Sequence, residues 1–147
     1  TQTPLKTEVN QALFHGLTPI TVVNNRVQIM RAITTYTKSP ANVDDPAWLD
    51  LTTIRTLDYT RKAIEQRIAL RFPRAKLSNR TPPKVRSEIL DVLYRLEDLE
   101  ILENIDANKN KLLVVRNGQD PNRLDTAIPA DVVNGLHVVA NRIDLIL

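Results

Sequence analysis

Two segments with the apolar spacing of amphipathic helices, separated by a short polar linker, constrain the fold of this chain most strongly. In the first, from Leu51 to Phe72, apolar residues recur at intervals of three, four or seven, which places them on one side of a helix. Pro73 ends this helix, because proline cannot continue the hydrogen-bond pattern. The polar residues 74–80 then form the linker to the second segment.

The second helix is marked both by its start and by its apolar face. Thr81-Pro82-Pro83 suits the first turn of a helix, where a missing amide hydrogen costs nothing. The apolar face that follows consists of Val85, Ile89, Val92, Leu93, Leu96 and Leu99. Both helices need a partner surface for these faces, which predicts a layered core.

Patterns typical of strands precede and follow these helices. Residues 20–23 and 26–36 are predicted to form a hairpin around Asn24-Asn25, since asparagine tolerates the positive φ angles of a tight turn. A short helix is predicted before this hairpin, with Thr3-Pro4 at its start and Gly16 at its end.

The C-terminal third of the chain is predicted to return to strands. After a turn over residues 106–110, strands are predicted at 112–115, 125–133 and 136–147. Asn134-Gly135 joins the last two, and this dipeptide is typical of a two-residue hairpin. The predicted fold class is therefore α+β: a mixed or antiparallel sheet, two long helices packed on it and a short N-terminal helix, in one domain over residues 1–147.

Charge is unevenly distributed along the sequence. Residues 55–86 contain ten basic and two acidic residues, whereas residues 87–106 contain seven acidic residues and one basic residue. An acidic block beside a basic one would repel phosphate. Opposite patches of similar size instead suit head-to-tail contact between identical subunits, although two solvated helix faces would give the same pattern.

Residues that carry chemistry are sparse. The chain has no cysteine and only two histidines, and neither histidine lies in a pattern that indicates a nucleophile or a metal site. A calcium-loop pattern starting at Asp106 fails because Lys111 stands where glycine is required. No apolar run approaches the roughly 20 residues that a membrane span needs. We therefore expect no enzyme activity, cofactor, bound metal or membrane insertion.

One alternative with structural content is a winged-helix DNA-binding domain. In this interpretation the two long helices precede a β-hairpin whose cations, Lys111, Arg116 and Arg123, would contact phosphate. The acidic surface of the second helix argues against it, because that helix would face the DNA backbone.

Three stretches of the chain carry a family resemblance. Residues 27–36, 48–59 and 136–147 resemble the C-terminal part of contractile-tail sheath proteins, above all those of Mu-like bacteriophages and related prophages. Sheath proteins of this family are longer, so the resemblance implies a C-terminal core domain without the N-terminal portion.

The resemblance also implies a function and a location. Such subunits form stacked hexameric rings around a tail tube, and their contraction drives the tube through the host envelope. The implied partners are other copies of the chain, the tail tube protein, and the baseplate and tail terminator proteins, with no direct contact to nucleic acid. The implied location is the tail sheath of the virion, assembled in the host bacterial cytoplasm.

Two sets of residues are then predicted to contact other subunits. The apolar C-terminal end would be a hazard if left uncovered, and we expect it to add a strand to a neighbour's sheet. That strand comprises Asn141, Arg142, Ile143, Asp144, Leu145, Ile146 and Leu147. Possible charged contacts involve the basic residues of the first long helix and its exit, namely Arg61, Lys62, Arg67, Arg71, Arg74 and Lys76.

Overall fold

The computed structural model describes residues 5–137 and 139–144 of the chain. These residues divide into two compact units. The first unit combines the chain up to Ile54 with the residues from Asn134 onward, and the second comprises Arg55–Val133.

The first unit begins with a short helix and a hairpin. Its elements are α1 (Lys6–Phe14), β1 (Ile20–Val23) and β2 (Arg26–Ile29), and the two strands pair antiparallel with Ile20 opposite Ile29. Asn24 and Asn25 both have positive φ angles, 50° and 60°, as the predicted tight turn requires. The N-terminal helix and the hairpin turn are thus confirmed.

One strand boundary in this unit differs from the prediction, and one predicted feature cannot be compared with the structure. Strand β2 ends at Ile29 instead of Tyr36, because the chain then turns to pair with the residues before α2: the Thr34 amide donates to the Leu49 carbonyl at 2.7 Å. The predicted cap, Thr3-Pro4, lies outside the described residues. Among those described, the Leu5 amide donates to the Glu8 carboxylate at 2.8 Å at the start of α1.

The second unit contains the main apolar core. Its elements are α2 (Leu51–Arg71, which starts in the first unit), α3 (Thr81–Asp98), α4 (Ile105–Asn108), a 3-10 turn (Lys109–Lys111), β3 (Leu113–Arg116) and β4 (Leu124–Ala127). Strands β3 and β4 are antiparallel, with Leu113 opposite Ala127. The buried core consists of Ile64, Val85, Ile89, Val92, Leu93, Leu96, Leu102, Ile105 and Leu112. Both long helices therefore form where their apolar spacing predicts.

Two local predictions in this unit are wrong. Leu99, assigned to the apolar face of α3, is 64% exposed, because the helix ends at Asp98 and the chain reverses there. Residues 106–110, predicted as a turn, continue in helical conformation through α4 and the 3-10 turn. Burial of Ile105 and Leu112 at the two ends of this stretch holds it against α3.

The predicted C-terminal hairpin is also wrong for the residues that the structure describes. Strand β4 ends at Ala127, and beyond it only Val132 makes an isolated bridge, to Leu102. None of residues 134–137 and 139–144 lies in a strand. Leu136 and Ile143 are 82% and 94% exposed, so within this single chain these residues have no buried face that could fix a strand register.

The α+β fold class is confirmed. The described strands form two antiparallel two-stranded sheets, one in each unit. Over the same residues, neither long helix has the apolar length that crossing a bilayer requires.

Replacement of Leu93 by alanine tests the position of the core. Leu93 is 1% exposed in the centre of α3, so Leu93→Ala should lower the free energy of unfolding by about 2–5 kcal/mol. Leu99→Ala is the matched control on the same predicted face, and we expect it to change stability by about 0.5 kcal/mol or less. Urea denaturation measures both values, and equal losses would contradict the boundary of α3.

Candidate interaction site

The basic side of α2 is partly neutralised by α3 within the same unit. Arg67 donates to Glu88 at 2.7 Å and also contacts the Asp91 carboxylate, while Arg71 reaches Glu88 at 3.3 Å. Arg95 adds a second cation to Asp91 at 3.3 Å. Residues of the basic and acidic segments of the sequence therefore form ion pairs within one chain, and these pairs connect α2 to α3.

The electrostatics of this cluster favour the ionised carboxylate. Partial burial of Glu88 acts to raise its pKa, but the hydrogen bonds and positive charges of Arg67 and Arg71 outweigh that effect. The pKa of Glu88 is therefore lower than its ordinary value. Because Arg67 is only 18% exposed, this pair is screened by salt less than a surface pair.

The other predicted contact cations have different surroundings. Arg61 pairs with Asp58 one turn earlier on the exposed surface of α2, at 3.0 Å. Lys62, Arg74 and Lys76 are exposed, and within the described residues no carboxylate lies within ion-pair distance of them. Of the six predicted charged contacts, Arg61, Arg67 and Arg71 thus have partners in their own chain. Lys62, Arg74 and Lys76 remain available to another molecule.

The outward face of α2 contains a further cation that the prediction missed. Arg55, Tyr59, Lys62, Gln66 and Leu70 follow one another at intervals of three or four residues and are all exposed. They lie on the side of the helix opposite the buried Ile64. The same helical spacing that predicted the apolar face would have placed Arg55 with Lys62 on the outward side.

Among the residues that the structure describes, strand β4 of the β3–β4 hairpin has one edge with no strand beside it. The Asn117 amide donates to the Arg123 carbonyl at 2.9 Å, which makes these residues a hydrogen-bonded pair at the end of the ladder. Hydrogen-bonded pairs alternate along antiparallel strands, so Val115 and Asp125 form the next one. The amides and carbonyls of Leu124 and Thr126 therefore point away from β3.

An apolar groove lies beside this open edge. It has a volume of about 540 Å³ and is lined by residues of α2, α3, β4 and the linker, among them Ile64, Ile68, Phe72, Ile89 and Leu124. A second groove of about 440 Å³ continues past Thr126 towards Ala130 and shares Ile64 and Glu65 with the first. The outward amides and carbonyls of Leu124 and Thr126 thus border a mainly apolar groove in the second unit.

The C-terminal segment, predicted to contact a neighbouring subunit, is exposed where the structure describes it. Arg142 pairs with Asp144 at 2.9 Å on the surface, and Ile143 between them is almost fully exposed. Residues 145–147 of the predicted strand lie outside the described residues.

A polar cluster in the first unit fixes the start of α2. Arg31 donates two hydrogen bonds to Asp50, both at 2.7 Å, and the His137 imidazole lies 3.7 Å from the same carboxylate. The hydrogen bond from Arg31 holds the pKa of Asp50 below its ordinary value. This forked pair anchors the segment after β2 to the residue that precedes α2.

Two further groups of residues are held by contacts within the chain. Lys109 lies 2.6 Å from Asp106, where the incomplete calcium-loop pattern begins. The described residues contain no group of three or more His, Cys, Asp or Glu side chains placed to hold a metal.

Of the cations proposed for a wing, Arg123 pairs with Asp125 at 2.7 Å and Arg116 donates to Asn79 at 3.1 Å.

Comparison with known proteins identifies a family and a relative. A family model described as the phage tail sheath C-terminal domain matches residues 43–146. The chain is also 32% identical over 152 aligned positions to the Mu-like prophage FluMu tail sheath protein of Haemophilus influenzae. This alignment includes 95% of the chain and 31% of the relative, so the chain spans about a third of that protein's length.

A matched pair of substitutions tests the two kinds of cation on α2. Arg67→Ala leaves Glu88 and Asp91 without their principal partner, so we expect a lower urea midpoint for unfolding of the second unit. Lys62→Ala removes an exposed charge from the same helix and should leave the midpoint unchanged. Equal effects of the two substitutions would contradict the inward role of Arg67.

The pair between Arg31 and Asp50 predicts a pH dependence of stability in the first unit. The pKa of Asp50 is lower in the folded chain than its ordinary 3.8, so the stabilisation is complete above that pH. It is lost as the pH falls through the folded-state pKa. At neutral pH Asp50→Asn should cost about 1–3 kcal/mol, and this difference from the wild type should shrink at acid pH.

Trp48, the chain's single tryptophan, provides the readout for this test. Its carbonyl accepts a hydrogen bond from the Thr34 hydroxyl at 2.7 Å in the same unit, so its fluorescence should follow the unfolding of that unit. Asp44→Asn is the matched control, since the pair between Lys38 and Asp44 is about half exposed. A pH-independent cost of Asp50→Asn would contradict the assignment.

Proposed function

Because the chain belongs to the phage tail sheath C-terminal domain family, we propose that it links sheath subunits to one another by strand exchange. Its role is structural: it is the C-terminal core portion of a subunit that packs with other copies into a sheath. The observation that carries the proposal is the open edge of β4 beside the apolar groove of the second unit.

The β4 edge has the features of an acceptor for another strand. The amides and carbonyls of Leu124 and Thr126 point outwards and would form a ladder with any extended chain laid beside them. Such main-chain bonds do not depend on side-chain identity. The groove floor, which includes Ile68 and Phe72, would cover the apolar face of the incoming strand.

The C-terminal residues have the pattern of a donor strand. In the sequence, Ile143, Leu145 and Leu147 alternate with Arg142, Asp144 and Ile146. In an extended conformation these two sets face opposite sides, so the purely apolar set would meet the groove while Arg142 and Asp144 remain in solvent. The high exposure of Ile143 in the single chain supports a segment that is completed by a partner.

Strand exchange between identical copies also suits a structure that changes its packing without dissociating. The donor and acceptor surfaces differ, so the contact is heterologous and repeats as a ring or an open helix. We propose stacked hexameric rings around a tail tube, with the strand linkages kept while the sheath contracts. Tail tube, baseplate and terminator proteins would be the partners of that assembly, which would form in the host cytoplasm and remain in the virion.

Blocking the acceptor edge should prevent assembly without unfolding the chain. Thr126→Pro removes an amide that faces away from β3, and proline is tolerated at such edge positions. We expect full-length sheath subunits with this substitution to keep their helical circular dichroism and form no hollow tubes in electron micrographs. Deletion of residues 144–147, the donor end, should have the same effect.

Asp125→Pro is the stability control for the acceptor variant, because it removes an amide that the β3–β4 ladder uses. This variant should lose stability, whereas Thr126→Pro should keep it. Tubes formed by folded Thr126→Pro subunits would exclude β4 as the acceptor. Tubes formed by the deletion variant would exclude the C-terminal strand as the donor.

A further inference from the structure

The end of α3 is an exposed acidic protrusion. Leu99 is 64% exposed and lies between Asp98 and Glu100, both of them exposed as well. Within the described residues, neither carboxylate is within ion-pair distance of a basic side chain, unlike Glu88 and Asp91 on the preceding turns of the helix. The outward acidic charge of α3 is therefore concentrated around a single exposed leucine.

The backbone at Glu100 is unfavourable for that residue. Glu100 has a φ of 55°, in the left-handed region where a side chain costs free energy and glycine does not. The following amide of Ile101 donates back to the Leu96 carbonyl at 2.9 Å, which is the helix ending that glycine normally occupies. A glutamate at this position is therefore less stable than a glycine would be.

The outward face of α2 is complementary to this protrusion. It offers two cations, Arg55 and Lys62, together with Tyr59 and Leu70, which are 53% and 75% exposed. Both surfaces thus combine exposed apolar side chains with uncompensated charge of opposite sign. Such complementarity fixes orientation and partner more than it adds affinity.

We propose that residues 98–100 of one copy dock on the outward face of α2 of a second copy. Leu99 lies against Tyr59, and the flanking carboxylates face Arg55 and Lys62. This contact rests on the proposed function in that the partner is another sheath subunit, and it is separate from the strand exchange at β4. It adds a second heterologous joint to the same repeating assembly.

The absence of cysteine from the chain permits a direct cross-linking test. One chain carries Gln66→Cys on the outward face of α2, and a second chain carries Asp98→Cys. Upon mild oxidation of the mixture, the mixed disulfide should form severalfold faster than when Lys84→Cys, at the exposed start of α3, replaces Gln66→Cys. Equal rates for the two pairs would overturn the proposal.

Charge variants then test the specificity of the contact. Lys62→Glu in the first chain should reduce the cross-linking rate severalfold, and Glu100→Lys in the second should restore it. If the second substitution restores nothing, Glu100 does not face Lys62 and the proposal fails.

Glu100→Gly separates this role from a contribution to folding. Glycine relieves the left-handed backbone, so the melting temperature of the variant should rise while its cross-linking rate falls. A rise in stability with unchanged cross-linking would contradict a role for the Glu100 charge.

These outcomes are distinguishable from failure of the proposed function. If full-length subunits form tubes but show no preferential cross-link, the proposed sheath assembly is supported and this contact is contradicted. If cross-linking is preferential but no tubes form, the contact is supported and the proposed sheath assembly is contradicted.

Discussion

Burial of the apolar face of α3 is the interaction on which the second unit depends. Ile89 and Leu93 are each 1% exposed, with residues of α2 packed on the same cluster together with those of the β3–β4 hairpin. Because only one face of the β3–β4 hairpin packs on this core, its other face is exposed to solvent. No strand of the described residues pairs with the outer edge of β4, which lies beside the groove. The packing that stabilises the unit thus also creates its candidate acceptor surface.

The same packing divides the charges of the chain into two groups. Arg67 and Arg71 are brought against carboxylates of α3 and serve the fold, whereas Arg55 and Lys62 on the opposite side of α2 remain outward. Inward pairs are partly protected from salt, while outward charges are screened within about one Debye length, roughly 8 Å at physiological ionic strength. Contacts between subunits should therefore depend on salt more than folding does.

Features that depend on residues close in sequence could be predicted. The long helices follow from apolar spacing, and the turn at Asn24-Asn25 follows from the φ preference of asparagine. Over the residues that the structure describes, the strand predicted after Gly135 does not form in the single chain, because strand pairing requires a second edge, which the sequence pattern does not supply. The inward direction of Arg67 was missed because this residue flanks the apolar face, so its partner depends on how α3 packs. Leu99 was misplaced because its periodicity continues beyond the end of the helix.

In the proposed assembly, the outer edge of β4 receives a strand from another copy. Amide hydrogen exchange, compared between unassembled chains and assembled full-length sheath, measures this edge directly. The amide of Asp125, which faces β3, should be protected in both states as part of the existing ladder. The amides of Leu124 and Thr126 should exchange freely before assembly and become protected after it. Continued fast exchange of these two amides in assembled sheath would exclude the outer edge of β4 as the acceptor.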